Sequence, residues 1–222
     1  MQFPNAQKGV KKIFTGELLM LIATILSTLS AIVTTVFIRQ QGETDQITFG
    51  APALGLIVFS LSAALLMMIA LVFSIIGVIQ TSKDEPVFKG VIFVMLLSFA
   101  VEVVSAIFTE NPIVTKLSSV ITDVCGTITI VLIVIGIGKF AEKLGDDVVF
   151  GKGQTLLKII VWIALLSVIM RAVAAFTPYT AAMVIEIVML AVTGILEIIK
   201  YILYLSFLGK SGKMLAQQEK TS

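Results

Sequence analysis

Histidine is absent from the 222 residues, and cysteine occurs once, at Cys125. Without imidazole the chain lacks the commonest general base and metal ligand, and a lone thiol forms neither an internal disulfide nor a thiolate-rich metal site. Charge is also sparse. Only 14% of residues are Asp, Glu, Lys or Arg, and 16 basic against 14 acidic residues leave a formal +2. That balance argues against a nucleic-acid binder, whose affinity rests on neutralising phosphates.

What fills the chain instead is apolar. Hydrophobic residues make up 58% of it and the mean hydropathy is +1.07, which excludes a soluble globular protein and implies lipid as the bulk partner. Crossing a hydrocarbon layer of about 30 Å takes about 20 apolar residues per helix. Six such runs are present, at about 18–38, 53–79, 90–109, 115–138, 156–177 and 181–204. They are continuous and lack the alternation of a membrane β-barrel, so all six are expected to be helices.

Basic residues set the expected orientation. Lys8, Lys11, Lys12, Lys83, Lys89, Lys139, Lys143, Lys152, Lys158, Lys200, Lys210, Lys213 and Lys220 fall on one side of these spans, and Arg39 and Lys116 on the other. Basic loops stay cytoplasmic, so both termini are expected inside a cell membrane. Tyr179, Tyr201 and Tyr204 sit near the ends of the sixth span, where amphipathic rings favour the headgroup zone. The first run, at about 21 residues, exceeds a secretory h-region and is expected to be retained as a span. The segments outside the spans are too short for an independent core, so residues 1–222 are expected to form one six-helix transmembrane domain.

An internal repeat emerges when the third span is written above the fifth. Phe88-Lys89 to Leu96-Leu97-Ser98 lies over Leu157-Lys158 to Leu165-Leu166-Ser167, and Ala106-Ile107-Phe108-Thr109 over Ala174-Ala175-Phe176-Thr177 after a one-residue slip. Val124-Cys125-Gly126 and Val192-Thr193-Gly194 extend the match, and Ser30 and Thr34 bring in the first hairpin. Three tandem helical hairpins of like orientation are expected. In outline this resembles the mitochondrial carrier architecture, but the Pro-x-[Asp/Glu]-x-x-[Lys/Arg] signature is missing, so that family's function is not implied. Six spans with both termini inside, and the small-residue face Ala23, Ser27 and Ala31, also resemble the substrate-binding subunits of energy-coupling-factor vitamin transporters.

Ionisable groups within spans are the first functional candidates, because burying them unpaired costs several kcal/mol. Glu102, Asp123, Arg171 and Glu186 are expected at one level, roughly 8–12 Å below the outer boundary at 1.5 Å per residue. Arg171 and Glu186 flank the short turn Pro178-Tyr179-Thr180 and are placed to pair, unless the repeat axis brings Arg171 to Glu102 and Thr34 instead, which leaves Asp123 alone. Glu102 and Asp123 flank the turn at 110–115, where two close carboxylates would share a proton or bind a cation. On the sixth span Glu186, Leu190, Thr193, Glu197, Tyr201 and Tyr204 recur at three- and four-residue steps, and with Lys200 they outline an inner polar path. Equally, these charges serve to fix helix register, and Glu197 and Lys200 pair while the lysine reaches the headgroups.

Enzyme motifs fail on spacing. Gly151-Lys152-Gly153-Gln154-Thr155 lacks the Walker arrangement and reads as a basic cytoplasmic turn, while Gly136 and Gly138 end a transmembrane helix and imply no dinucleotide fold. No Gly-x-Ser-x-Gly elbow accompanies the serines, so neither catalysis nor a cofactor or metal is expected. The expected function is binding or transport of a small solute, proton or cation, with Glu102, Asp123, Arg171 and Glu186 as the outer site. The alternative is a non-transporting membrane subunit that scaffolds or regulates a partner protein.

Overall fold

The described residues of the protein, in a computed structural model, form six α-helices: α1 Pro4–Gln41, α2 Ala51–Thr81, α3 Val87–Ile107, α4 Pro112–Leu144, α5 Asp147–Phe176 and α6 Tyr179–Thr221. The backbone is described for residues 3–41, 51–109, 111–176 and 179–221, and side chains for these except 28, 31–41, 51–54, 56, 57, 112, 116, 167–176, 179–191, 193, 194, 197 and 218–221. No strand occurs among the described residues. Four stretches of helix there are long and apolar enough to cross a membrane, namely Val58–Thr81, Val87–Ile107, Ile113–Leu144 and Asp147–Leu166.

Proline marks where helices begin. Pro4 opens α1, Pro52 is its second-position counterpart in α2, Pro86 precedes α3 and Pro112 opens α4. A residue with no N–H and φ fixed near −65° suits a first turn, whose N–H groups have no partner within the helix. Asn111 completes the start of α4 by accepting from the N–H groups of Ile113 at 3.0 Å and Val114 at 3.3 Å. At the far end of α4, Gly145 takes the left-handed conformation, φ 68°. Its N–H and that of Asp146 return to the carbonyls of Glu142 and Ala141, and Asp146 Oδ1 then accepts from Val149 N at 2.9 Å to start α5.

Two expectations are corrected here. Gly136 and Gly138 do not end a helix, because α4 continues to Leu144. Gly151, Lys152 and Gly153 are not in a turn but inside α5, the reversal being made at Gly145 and Asp146. The helices outrun the apolar spans: α1 starts at Pro4, before Lys8, Lys11 and Lys12, and α6 carries Lys210 and Lys213 on to Thr221. Hydropathy locates a span but not the helix containing it, since Lys and Gln propagate a helix nearly as well as Leu.

The chain divides into two compact units, one of Met1–Val10 with Val78–Ser222, the other of Lys11–Gly77. In the larger unit α3 packs on α4, α4 on α5 and α6, and α5 on α6. Its core gathers at the lysine-rich end, from Phe88 and Val91 on α3, Ile133, Ile137 and Phe140 on α4, Leu156 and Ile160 on α5, and Tyr204 and Leu208 on α6, all buried. Towards the opposite end Phe93, Leu96, Phe99, Ile107, Ile113 and Leu117 are exposed. In the smaller unit α1 and α2 approach closely: a Cβ on Gly16 would stand 2.8 Å from the Ala70 carbonyl oxygen and 2.9 Å from Ser74 N. Ser30 and Ser60 share a hydroxyl hydrogen bond of 2.8 Å farther along.

The seat of Phe88 on α4 depends on Gly136, whose missing Cβ leaves room for the ring; an added methyl would lie 2.9 Å from Phe88 Cζ. At Gly90, by contrast, a Cβ would meet only Leu132 Cδ1, at an ordinary 3.5 Å. Gly136→Ala is therefore expected to destabilise the protein by about 1–3 kcal/mol through overpacking, whereas Gly90→Ala is neutral or stabilising by up to about 1 kcal/mol. Thermal unfolding of the two variants in the same detergent checks the contrast.

Candidate functional site

Of the residues singled out above, Glu102 lies on α3 and Asp123 on α4, and both are exposed. Glu102 stands five residues before the end of α3, while Asp123 stands eleven after the start of α4. At about 1.5 Å per residue, the hairpin register separates them by about 9 Å along the helix axis. The side chains of Arg171, Glu186, Thr193 and Glu197 lie outside the described residues. Lys200 is 8% exposed, so it turns into the protein and not out towards the headgroups. It heads a buried face of α6 that runs through Tyr204 and Phe207 to Ser211, at the three- and four-residue steps of one helix side. Tyr201 lies at the margin of that face, its ring 6.4 Å from Tyr204.

The densest polar constellation among the described residues is one that the reading of the sequence passed over. It is built on the short connection between α2 and α3, where Asp84 and Glu85 are adjacent. The backbone turns tightly there, with Asp84 N and Glu85 N both donating to the Thr81 carbonyl at 3.1 Å. Asp84 reaches the start of α1, a helix without an acidic residue in its first turn. Asp84 Oδ2 accepts from Asn5 N at 2.9 Å and Ala6 N at 2.7 Å, and Oδ1 accepts from Asn5 Nδ2 at 3.0 Å. A residue distant in sequence thus caps α1, satisfying two N–H groups and placing a negative charge at the positive end of the helix dipole.

Glu85 turns the other way. Its side chain is 4% exposed and meets Lys143 Nζ at 2.8 Å and Lys139 Nζ at 3.4 Å, two lysines one turn apart on α4 that are themselves half exposed. Burial by itself raises the Glu85 pKa, but the hydrogen bond and charge of Lys143, followed by Lys139, outweigh it and hold the group below the usual glutamate range. Aromatic rings close the cluster. Phe3 lies 5.0 Å from Phe140, Phe140 lies 6.1 Å from Phe88, and Lys143 Nζ stands 5.7 Å over the Phe3 ring. The sequence did contain a signal, since Lys139 and Lys143 are four apart at the end of a helix and two acids interrupt an otherwise basic loop.

A second polar site lies where α5 meets α6. Gly153 is buried against Phe207, to whose Cε2 a Cβ there would stand 3.3 Å. This close approach brings together Lys152, next to Gly153, and Lys210, one turn beyond Phe207. The neighbouring Lys152 amine and its charge depress the Lys210 pKa. Among the described residues no group of His, Cys, Asp and Glu side chains is placed to hold a metal ion. Comparison with protein families, curated proteins and solved structures finds no match to this chain.

The linkage sign for Glu85 is that of a depressed carboxyl. Its contribution to stability is complete above the ordinary glutamate value of about 4.3 and disappears as pH falls through the lower folded value. Glu85→Gln is expected to cost about 1 kcal/mol at pH 7, a modest figure because both lysines are half in solvent. It is also expected to flatten the loss of stability below about pH 4.3. Unfolding midpoints of wild type and variant, followed by circular dichroism across this pH range, give the comparison.

Proposed function

We propose that this chain is a multi-pass cell-membrane protein, both termini cytoplasmic, its six helices arranged as three tandem hairpins. Within that frame it acts as a membrane subunit that scaffolds or regulates a partner protein. The observation that supports this reading is the exposure of Glu102 on α3. Only 6% of the α3 span is buried inside the protein, against 22–28% for the other three. An ionisable group on a lipid-facing helix is disfavoured by about 2.5–3.5 kcal/mol near the bilayer centre, and polar contacts with a neighbouring helix relieve that penalty. A second membrane protein, or a second copy of this chain, laid over α3 and α4 supplies such contacts.

A second reading, binding or transport of a small solute, proton or cation, is favoured by Lys200. A lysine 8% exposed beside the buried Tyr204 is the kind of intramembrane charge that marks ion and solute pathways. It extends the proposed polar path of Thr193 and Glu197, with Glu102, Asp123, Arg171 and Glu186 as its outer site.

Native mass spectrometry of the gently purified protein separates the two. The subunit reading expects a stoichiometric second polypeptide or a dimer, with Glu102→Ala and Asp123→Ala weakening that association about tenfold while the monomer melts unchanged. A retained small molecule that raises the melting temperature, and is lost in Glu102→Gln or Asp123→Asn, would overturn it in favour of transport.

A further inference from the structure

Like charges are seldom held together without a reason, and the α5–α6 contact holds two. The placement of Lys152 and Lys210 follows from the fold: the side chain missing at Gly153 lets Phe207 of α6 close onto α5, and the two lysines project beside that contact. Both are exposed and belong to helical segments of the larger unit, so their backbone positions are fixed while the amines face outward. Lys213 follows Lys210 by three residues on α6 and lies on the neighbouring helical surface. Among the described residues neither Lys152 nor Lys210 forms an ion pair with a carboxylate. At the start of α5, Asp146 accepts from Val149 N.

We infer that Lys152 and Lys210 form a binding site for a phosphate group, with Lys213 at its edge. Two ammonium groups converging from adjacent helices give several N–H donors to an anion that has oxygens to spare, and the anion cancels the repulsion between them. Phosphate suits this geometry better than a carboxylate because its tetrahedral oxygens address both amines and the third lysine together. Two sources share this chemistry, the headgroup of an anionic lipid and free phosphate. The lipid source rests on the reading of the chain as a membrane protein, whereas free phosphate does not. The depressed Lys210 pKa agrees with the unliganded pair, and a bound anion would raise it again.

The test uses the full chain in an uncharged maltoside detergent, with bound lipid counted by native mass spectrometry. Phosphatidylglycerol, phosphatidylcholine with the same acyl chains, and inorganic phosphate are the probes. Phosphatidylglycerol is expected to bind about tenfold more tightly than phosphatidylcholine, to lose about threefold in Lys152→Gln or Lys210→Gln, and to lose about tenfold in the double variant. Lys83→Gln, an exposed lysine on the α2–α3 connection, is expected to change nothing. Millimolar inorganic phosphate that binds and competes identifies free phosphate as sufficient; phosphatidylglycerol binding without such competition identifies the lipid headgroup. Either result supports the site. A second readout is the titration of isotopically methylated lysines by NMR, in which the Lys210 signal should move to higher pKa with the anion bound. Equal binding of the two lipids together with no phosphate binding would overturn the proposal. So would unchanged anion binding in a double variant that melts like wild type.

Discussion

A carboxylate taken out of water must be met by opposite charge, and Glu85 is the point at which this protein satisfies that requirement. Lys139 and Lys143 meet it from α4, which ties the end of α4 to the start of α3. Asp84, one residue earlier, holds the start of α1 by accepting from its N–H groups. Three helix ends are thus referred to two adjacent residues. The aromatic rings of Phe3, Phe140 and Phe88 then fill the space between the ends, and their packing leaves no room for a side chain at Gly136.

Packing in the larger unit follows from this arrangement. The buried residues of α3, α4, α5 and α6 lie towards the end where the charges meet, and the apolar residues at the other end face outward. In lipid, burying Leu or Ile against another helix gains little over leaving it in hydrocarbon, so helix association relies on close fit and polar contacts. Both occur at the charged end, in Gly136 beneath Phe88, Gly153 beneath Phe207, and the Glu85 ion pairs. The exposed faces of α3 and α4 are compatible with hydrocarbon, except where Glu102 and Asp123 interrupt them.

Hydropathy alone made the all-helical class and the approximate centres of the apolar helices legible. Helix ends were not, because the segments beyond each span are rich in Lys and Gln, which are good helix formers but carry no apolar signal. The prolines held that information, Pro4, Pro86 and Pro112 each standing at a helix start. Ending α3 two residues earlier and starting α4 three residues earlier than the apolar runs suggest moves Glu102 and Asp123 apart in the hairpin register. Asp84 and Glu85 escaped notice for a different reason: counting basic residues to orient a chain ignores acids, and nothing local announces that their partners are Asn5 and Lys143. Lys200 looked free to reach the headgroups by its distance from the span end, and only the packing of α6 shows that it points inward.

The cap on α1 also bears on the order in which the protein is made. Synthesis runs from the N-terminus, so the first turn of α1 leaves the ribosome long before the carboxylate that completes it, since Asn5 and Asp84 are separated by 79 residues. Glu85 waits in turn for a lysine 58 residues later, and Phe3 waits for Phe140. The first turn of α1 is thus capped only once the α2–α3 connection has been made, and its aromatic contact is completed only with α4.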